Sequence, residues 1–254
     1  MRIAIAGGTG TVGRHAADAA RERGHEVIVL TRSNGVDLVS GEGLDEALRG
    51  VDAVIDTSNT ASLAERKAAA FFTAVTRNLL AAERTAGVRH HVALSIVGID
   101  RAPYGYYAAK LAQEGAVETG GVPWTILRSM QFHEFAGQML DGLAIAGMHF
   151  APRVRTQPVA AREVGERLVE LAEGAPAGHA PELAGPREER LEDMIRRLAH
   201  ATGVTGPIIT VSLPTKQFAA MRRGETLPGP DAVLGRQTFD EWVAERATSA
   251  QPTG

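Results

Sequence analysis

Three side chains in the middle of the chain carry groups that could act together on a proton. Tyr106 and Lys110 are four residues apart, a spacing that places both on one face of a helix. An ammonium group beside a phenol lowers the pKa of the phenol and helps it act as a general acid near neutral pH. Ser95 ends a strand-like run and could hydrogen-bond a carbonyl oxygen of a substrate. The pattern therefore predicts a catalytic group of Ser95, Tyr106 and Lys110, although a packed aromatic ring beside a surface lysine would give the same spacing.

The glycines near the start of the chain have the spacing of a phosphate-binding loop. Gly7, Gly10 and Gly13 lie between a strand-like run at 2–6 and a helical pattern at 11–24. In such a loop one glycine permits a tight turn, the next lets the backbone approach a pyrophosphate, and the last lets the helix pack on the strand. The start of the helix adds free N–H groups and the positive end of its dipole. We therefore expect a dinucleotide to be bound by Gly7, Thr9, Gly10, Thr11, Val12 and Gly13.

The residues after the second strand-like run indicate which dinucleotide is bound. An acidic residue about 20 positions after the glycine loop would bind the ribose hydroxyls of NAD. Arg32 stands there instead, and its guanidinium could clamp a 2′-phosphate, with hydroxyl groups of Thr31 and Ser33 beside it. Asp37, in the loop that follows, could reach the adenine. The sequence thus favours NADP(H), although an arginine at a strand end can also be an ordinary solvated side chain.

Strand-like runs alternate with helical patterns over the first half of the chain. The strands are expected at 2–6, 26–30, 53–56, 91–95 and 124–127. The helices are expected at 11–24, 44–48, 63–86 and 106–118. Continuous apolar strands joined through helices predict an α/β fold with a doubly wound parallel sheet of the Rossmann type and right-handed crossovers.

The alternation weakens after residue 130. Helices are expected at 131–146, 162–173, 191–202 and 238–247, a strand at 207–213, turns at 175–186 and a disordered tail at 248–254. We expect a Rossmann core at 1–130 and a smaller C-terminal substrate lobe at 131–254, integrated in one structural domain.

Polar residues follow the third and fifth predicted strands, at the edge of the sheet where ligands of such folds bind. Thr57, Ser58 and Asn59 follow the third strand and are expected to contact the cofactor. Gln131 and His133 follow the fifth strand and are expected to contact the substrate, although His133 could instead cap or pack at a helix start.

Six short stretches form a set of motifs, namely residues 7–13, 50–55, 78–80, 94–98, 106–110 and 121–128. The set resembles the short-chain dehydrogenase/reductase superfamily, and within it the atypical NmrA-like NAD(P)-binding members. The resemblance implies that Ser95, Tyr106 and Lys110 are the catalytic triad and that Lys110 also holds the cofactor ribose. It further implies that Asn78 is a helix asparagine that some members add. Some NmrA-like members bind a dinucleotide without turning over any substrate.

The composition argues against several classes of site and partner. The chain of 254 residues has a formal net charge of -3 and no cysteine, so neither nucleic-acid binding nor a cysteine-ligated metal is expected. His90 and His91 are adjacent, but neighbours in a strand point to opposite faces, so we expect no metal site. No apolar run has the length of a membrane helix, which favours a cytoplasmic protein without membrane contact. The helices expected at 63–86 and 106–118 could form the face of a homodimer.

These features together predict an NADPH-dependent oxidoreductase that reduces a small carbonyl-type or related unsaturated substrate by hydride transfer. Tyr106 would donate the proton, Lys110 would assist it, and Ser95 would anchor the substrate. One alternative is an NADP(H)-binding redox sensor that has little or no turnover and signals to a partner protein. Another is an epimerase-like enzyme acting on a nucleotide sugar, since extended members of the superfamily share the Tyr and Lys pattern.

Overall fold

Strands and helices alternate along the chain in the computed structural model, which describes residues 1–62 and 64–249. The strands are β1 (Arg2–Ala6), β2 (Glu26–Leu30), β3 (Ala53–Asp56), β4 (His90–Ile96), β5 (Trp124–Ser129), β6 (Ala144–Ile145), β7 (Met148–Pro152), β8 (Arg155–Thr156), β9 (Gly178–His179), β10 (Leu183–Ala184), β11 (Glu189–Arg190), β12 (Ile208–Val211) and β13 (Val233–Leu234). The helices are α1 (Gly13–Glu22), α2 (Leu44–Ala47), α3 (Glu65–Ala86), α4 (Tyr106–Thr119), α5 (Glu134–Gly142), α6 (Ala161–Glu173), α7 (Leu191–Thr202), α8 (Lys216–Arg223) and α9 (Phe239–Ser249). Within the described ranges, no helix combines the length and the apolar character needed to cross a membrane.

The chain divides into two compact units, and the division does not fall at one point of the sequence. Unit 1 contains Met1–Ser129 and Ala161–Pro181, and unit 2 contains Met130–Ala160 and the described residues from Glu182 onward. The chain passes into unit 2 near residue 130, where the boundary was expected, but it then passes back into unit 1 for the segment that carries α6. This helix packs so closely on α1 that a Cβ atom at Gly165 would lie 2.7 Å from the backbone nitrogen of Ala16.

Unit 1 is built on a parallel sheet. β1 pairs with β2 and β3, β3 pairs with β4, β4 with β5, and β5 with β9. The register aligns Ala6 with both Leu30 and Asp56, so β1, β2 and β3 end side by side. Asp56 is aligned in turn with Ala93 of β4. The carboxyl ends of these strands therefore form one edge, and the loops that leave this edge are neighbours.

Helices cover both faces of the unit 1 sheet. Successive side chains of a strand point to opposite faces, and Ala4, Ala6 and Val54 turn toward α2 and α3, where they share one apolar core with Val75 and Leu79. α1 and α6 pack together against strands of the same sheet, and α3 packs with α4. The predicted doubly wound α/β fold of the Rossmann type is confirmed.

Unit 2 has its own apolar core. α5, α7 and α9 pack around side chains that include Leu140, Met194, Ile195, Phe239 and Trp242. β7 pairs in parallel with β12 and antiparallel with β6, and β8 pairs antiparallel with β11. β6, β8 and β11 have only two residues each, which explains why the sequence pattern did not reveal them, whereas β12 lies within the strand expected at 207–213.

Several local predictions for the second half differ from the structure. The helix expected at 131–146 covers only α5, because β6 and β7 form a hairpin that turns at Ala146 and Gly147, both with positive φ. α8 was not predicted, and the Thr215 side chain caps it by accepting a hydrogen bond from the N–H of Phe218. Thr248, expected in a disordered tail, belongs to α9. Residues 250–254 of that tail and Leu63, the expected first residue of a helix, lie outside the described residues.

A buried ion pair joins α3 to β4. Glu83 and His91 have side chains that are 0% exposed, and Nδ1 of His91 lies 2.8 Å from one carboxylate oxygen. Burial has the largest single effect and lowers the pKa of His91, but the charge and hydrogen bond of Glu83 and the charge of Asp56 together outweigh it, so the pKa of His91 is raised overall. His90 contacts the Thr125 hydroxyl instead, and the described residues contain no group of three or more side chains that could hold a metal ion. The two histidines therefore serve the packing of unit 1.

We predict that Glu83→Gln lowers the free energy of unfolding in urea by about 3–5 kcal/mol at pH 6, since it leaves a buried imidazolium without its counter-charge. The pKa of His91 is raised on folding, so the stabilisation is fully present below the pKa of the unfolded chain, about 6.5. It is lost as the pH rises through the raised pKa. The matched control is Glu118→Gln, which breaks the exposed pair with His179 and should change stability by less than about 1 kcal/mol. Equal losses for both variants, or a loss that grows with pH, would contradict this interpretation.

Candidate functional site

The loop between β1 and α1 is packed so tightly that two of its positions have no room for a side chain. A Cβ atom at Gly13 would lie 2.2 Å from the carbonyl oxygen of Gly7, and one at Gly7 would lie 2.6 Å from the carbonyl oxygen of Thr57. The N–H of Gly10 donates to that same Gly7 carbonyl oxygen at 2.8 Å. The glycine spacing therefore corresponds to close backbone contacts that hold the loop against the carboxyl edge of the sheet.

The loop presents backbone groups rather than large side chains to a ligand. α1 begins at Gly13, and the N–H groups of a first helical turn have no acceptor inside the helix. Thr9 and Gly10 are exposed and Thr11 is half-buried, whereas the side chain of Val12 is buried, so only the backbone of Val12 is available to a ligand. Such a helix start favours a phosphate group.

A cavity of about 500 Å³ lies beside this loop. It contains hydroxyl groups of Thr31 and Ser33, which lie 2.8 Å apart, and two arginines from α1. Arg21 is paired with Asp18 at 3.1 Å, whereas Arg14 makes no ion pair within the described part of the chain. The lining residues are Gly8, Thr9, Arg14, Ala17, Asp18, Arg21, Val29, Thr31, Ser33 and Asn34. The cavity therefore offers hydroxyl donors and a free cation to an anionic group.

Arg32 lies near this cavity in sequence but does not line it. Its side chain is 81% exposed, and its Nε lies 3.0 Å from a carboxylate oxygen of Asp37. The N–H groups of Ser40 and Val39 donate to the other oxygen of Asp37, and together with Arg32 they hold the pKa of Asp37 below its usual range. Asp37 therefore fixes its own loop, which does not support the predicted contact with adenine.

Asn78 also fixes that loop. Its amide nitrogen donates to the carbonyl oxygens of Leu38 and Val39, at 3.1 Å and 2.8 Å. The role that the resemblance implied for Asn78, an addition to the catalytic residues, is not supported because its amide group is occupied in holding the loop on α3.

The segment after β3 contacts both the glycine loop and α4. The hydroxyl of Thr57 donates to the carbonyl oxygen of Ala6 at 2.8 Å, so it serves the fold. The hydroxyl of Ser58 is buried and has no partner among the described residues. Asn59 accepts a hydrogen bond from the Tyr106 hydroxyl at 2.6 Å. Of the three residues predicted here to contact a cofactor, Ser58 has the hydroxyl without a hydrogen-bond partner among the described residues.

Lys110 is the charged group at the centre of the site. Its Nζ donates to the carbonyl oxygen of Leu94 at 2.7 Å and to Oε1 of Gln113 at 2.6 Å, and it lies 4.8 Å from the centre of the Phe72 ring. Burial lowers the pKa of Lys110 to about 8, although the charges of Asp56 and Glu114 act in the opposite direction. Next to Leu94 in β4, the hydroxyl of Ser95 is buried without a partner among the described residues.

Tyr106 is not activated by Lys110 in this structure. The lysine donates to Leu94 and Gln113, while the phenol donates to Asn59 and packs edge-on against Phe72. Burial raises the pKa of Tyr106, and the neighbouring Tyr107 raises it further. The expectation that a nearby ammonium group lowers the pKa of this phenol is therefore wrong.

The two substrate residues predicted after β5 lie in unit 2 and have partners there. Oε1 of Gln131 accepts a hydrogen bond from the Thr156 hydroxyl at 2.8 Å. His133 is 0% exposed, its ring packs against Phe239 and Trp242, and Nε2 lies 3.2 Å from the carbonyl oxygen of Gln237. This enclosure favours the alternative of a packed histidine over the predicted contact with substrate.

Two residues of the site were missed by sequence reasoning. Gln113 connects Lys110 to Asp56, since its Nε2 donates to a carboxylate oxygen of Asp56 at 3.0 Å. A signal was present in the spacing, because Gln113 is three residues after Lys110 and thus on the same helical face. Nothing in the sequence indicated that Asp56, the last residue of β3, would face this helix.

Residues 7–173 match the family model described as NAD(P)H-binding, and the chain belongs to this NAD(P)H-binding family. It is 31% identical over 160 residues to (4-alkanoyl-5-oxo-2,5-dihydrofuran-3-yl)methyl phosphate reductase of Streptomyces griseus, covering 58% of this chain and 53% of that protein. It is 28% identical over 181 residues to phenylcoumaran benzylic ether reductase IRL1 of Ginkgo biloba, covering 60% of this chain and 55% of that protein. The chain thus spans about half the length of the curated relatives that it matches.

The solved structures extend the likeness in fold to nearly the whole chain. NADPH-dependent quinone oxidoreductase QOR2 of Escherichia coli, complexed with NADPH, matches with a TM-score of 0.72 at 18% identity. The match covers 96% of this chain and 99% of that chain. The glycine loop fits the dinucleotide of this family, because Gly7 and Gly13 lie in the close backbone contacts that such a loop requires.

We predict that Gly13→Ala abolishes tight dinucleotide binding, because the added Cβ atom forces the loop away from the Gly7 carbonyl oxygen. Isothermal titration with NADPH and with NADH measures the effect, and thermal unfolding measures the accompanying loss of stability. Gly115→Ala in α4 is the matched control, since nothing lies within 4 Å of its Cβ position. This control should bind normally and gain up to about 1 kcal/mol in stability. Normal binding by Gly13→Ala would show that the loop does not hold the phosphates.

Proposed function

We propose that this chain is an NADPH-dependent oxidoreductase that reduces a small carbonyl-type or related unsaturated compound. The observation that carries the proposal is the buried ammonium group of Lys110, held by Leu94 directly before the unpartnered hydroxyl of Ser95. A cation and a hydroxyl group can each hydrogen-bond a carbonyl oxygen, and the cation can also protonate it. The two relatives named as reductases support this type of reaction.

Lys110 is the proton donor that the physical chemistry favours. A general acid works best when its pKa lies near the working pH, and burial brings the pKa of Lys110 to about 8. The raised pKa of Tyr106 makes the phenol a weaker acid. We therefore propose that Lys110 gives a proton from Nζ to the substrate and that Ser95 hydrogen-bonds the same oxygen. Tyr106 would position Asn59 at the site.

The residues that would hold the cofactor come from unit 1. When bound, NADPH supplies the hydride for such a reduction. The backbone of the glycine loop and the start of α1 would bind its pyrophosphate, and Ser58 would contact it after β3. Thr31, Ser33 and the free cation Arg14 would bind the 2′-phosphate in the cavity, with Arg32 joining them if it leaves Asp37.

We expect NADPH-dependent reduction within a panel of aldehydes, ketones, quinones, imines and enones, followed by the absorbance of NADPH. Lys110→Met should lower kcat/KM by about 100-fold or more, the usual effect of losing a general acid. Tyr106→Phe should leave most of the activity, and the wild-type rate should fall above pH 8, where Lys110 loses its proton. Activity that survives Lys110→Met but not Tyr106→Phe would assign the proton to Tyr106.

We predict that Arg14→Gln and Arg32→Gln each raise the Kd of NADPH about 10- to 100-fold while leaving that of NADH unchanged. A charge-assisted hydrogen bond to the 2′-phosphate contributes about 1.5–3 kcal/mol, and NADH has no such phosphate. Arg49→Gln is the control, because this exposed arginine pairs with Glu46 before β3, at the other edge of the sheet. If the wild-type chain binds NADH as tightly as NADPH, the proposed preference for NADPH is wrong.

An NADP(H)-binding sensor with little turnover is the second candidate. It is favoured by the Tyr106–Asn59 hydrogen bond, which engages the phenol away from Lys110. Tight binding of NADPH in titration, no turnover with any compound of the panel, and capture of a partner protein only in the presence of NADPH would support the sensor. Turnover that requires Lys110 would exclude it.

A further inference from the structure

Asp56 is a buried carboxylate that the proposed reaction does not use directly. It is 1% exposed and lies at the end of β3. One of its oxygens accepts from the backbone N–H of Ser58 at 2.8 Å, and the other accepts from Nε2 of Gln113 at 3.0 Å. No cation forms an ion pair with Asp56 among the described residues. The negative charge is thus left facing the amide of Gln113.

Gln113 connects this carboxylate to the ammonium group of Lys110. Its amide has one end that only donates and one end that only accepts hydrogen bonds. A carboxylate only accepts and an ammonium group only donates, so the two neighbours force the amide into one orientation. The structure shows this orientation, with Nε2 toward Asp56 and Oε1 2.6 Å from Nζ of Lys110. The three buried side chains therefore form one chain of hydrogen bonds with a single consistent polarity.

The other charged groups around Lys110 are already balanced. Glu114 of the same helix is bound by Arg128 through two hydrogen bonds, at 2.9 Å and 2.7 Å. α3 presents the Phe72 ring, β4 presents the Leu94 carbonyl oxygen, and Tyr106 one turn earlier is a neutral phenol. Two of the three N–H groups of Lys110 are taken by Leu94 and Gln113, and the third has no acceptor within the described chain. Leu94 and Gln113 thus hold the ammonium group of Lys110, and its third N–H is left for a ligand.

We propose that Asp56 and Gln113 are positioning residues for Lys110: Asp56 orients the Gln113 amide, and the amide holds the ammonium group charged and directed toward the substrate. This inference rests on the proposed role of Lys110 as proton donor. It adds that a carboxylate two hydrogen bonds away, which does not touch substrate or cofactor, helps to keep this buried donor charged.

The direct test is the titration of Lys110 in the full chain without any added ligand. The chain contains three lysines, Lys67, Lys110 and Lys216, so NMR spectra of protein labelled with 13C at lysine Cε can be assigned with Lys67→Arg and Lys216→Arg. Asp56→Asn keeps the shape of the side chain but removes the charge and allows the Gln113 amide to turn its NH2 toward Lys110. We expect it to lower the titration midpoint of Lys110 by about one pH unit or more.

The double variant Asp56→Asn with Gln113→Glu restores the polarity of the chain of hydrogen bonds. The new amide at position 56 can donate to the new carboxylate at position 113, which then faces the ammonium group directly. We expect the midpoint of Lys110 to return to the wild-type value or to rise above it. Glu118→Gln, which removes an exposed carboxylate from the same helix, should leave the midpoint unchanged.

A midpoint that does not fall in Asp56→Asn, or that stays low in the double variant, would overturn the proposal. If Asp56→Asn does not fold, Gln113→Leu provides the same test by removing the amide alone, and it too should lower the midpoint. If the enzyme is active, kcat/KM falls at alkaline pH, and the pH of this fall should change among the variants in the same order as the titration midpoint of Lys110. If the midpoints move as expected but no variant or wild type turns over any substrate, the positioning network stands and the proposed reaction fails.

Discussion

The burial of one ammonium group is the constraint on which the rest of the candidate site depends. A charged group taken out of water needs acceptors within reach, and Lys110 finds them on Leu94 and on Gln113. The second acceptor is oriented by Asp56, so β3, β4 and α4 all contribute to holding a single atom. Any movement of these elements relative to one another would leave a buried charge without partners, which ties the chemistry of the site to the packing of the sheet.

The parallel register explains why so many of these contacts fall within four consecutive residues. β1 and β3 end side by side, which brings the segment 56–59 against both the glycine loop and α4. The Thr57 carbonyl lies against Gly7, and Asn59 accepts from Tyr106. Asp56 binds Gln113. The loop that would bind phosphate and the group that would move a proton are therefore joined through one short piece of backbone, as expected where the strands of an α/β sheet end.

Burial changes the pKa values of Tyr106 and Lys110, the two residues that the sequence pattern singled out. The spacing of Tyr106 and Lys110 correctly predicted a shared helix, yet in the fold each group has a different hydrogen-bond partner. Removal from water raises the pKa of the phenol and lowers that of the ammonium group, so the lysine becomes the better acid near neutral pH. A spacing rule places two side chains on one face but contains no information about their solvation.

The sequence by itself determined the α/β fold, the family and the tightly packed glycine loop, because each follows from local pattern: apolar strands alternating with helices, and glycines where no Cβ atom fits. It did not determine the return of α6 to unit 1, the enclosure of His133 or the pairing of Arg32 with Asp37. Only the tertiary structure decided these, since each depends on a partner distant in sequence or on the exclusion of water. The hydrogen bonds from Lys110 through Gln113 to Asp56 belong to the same class, because they exist only when a helix and a strand from separate parts of the chain enclose them.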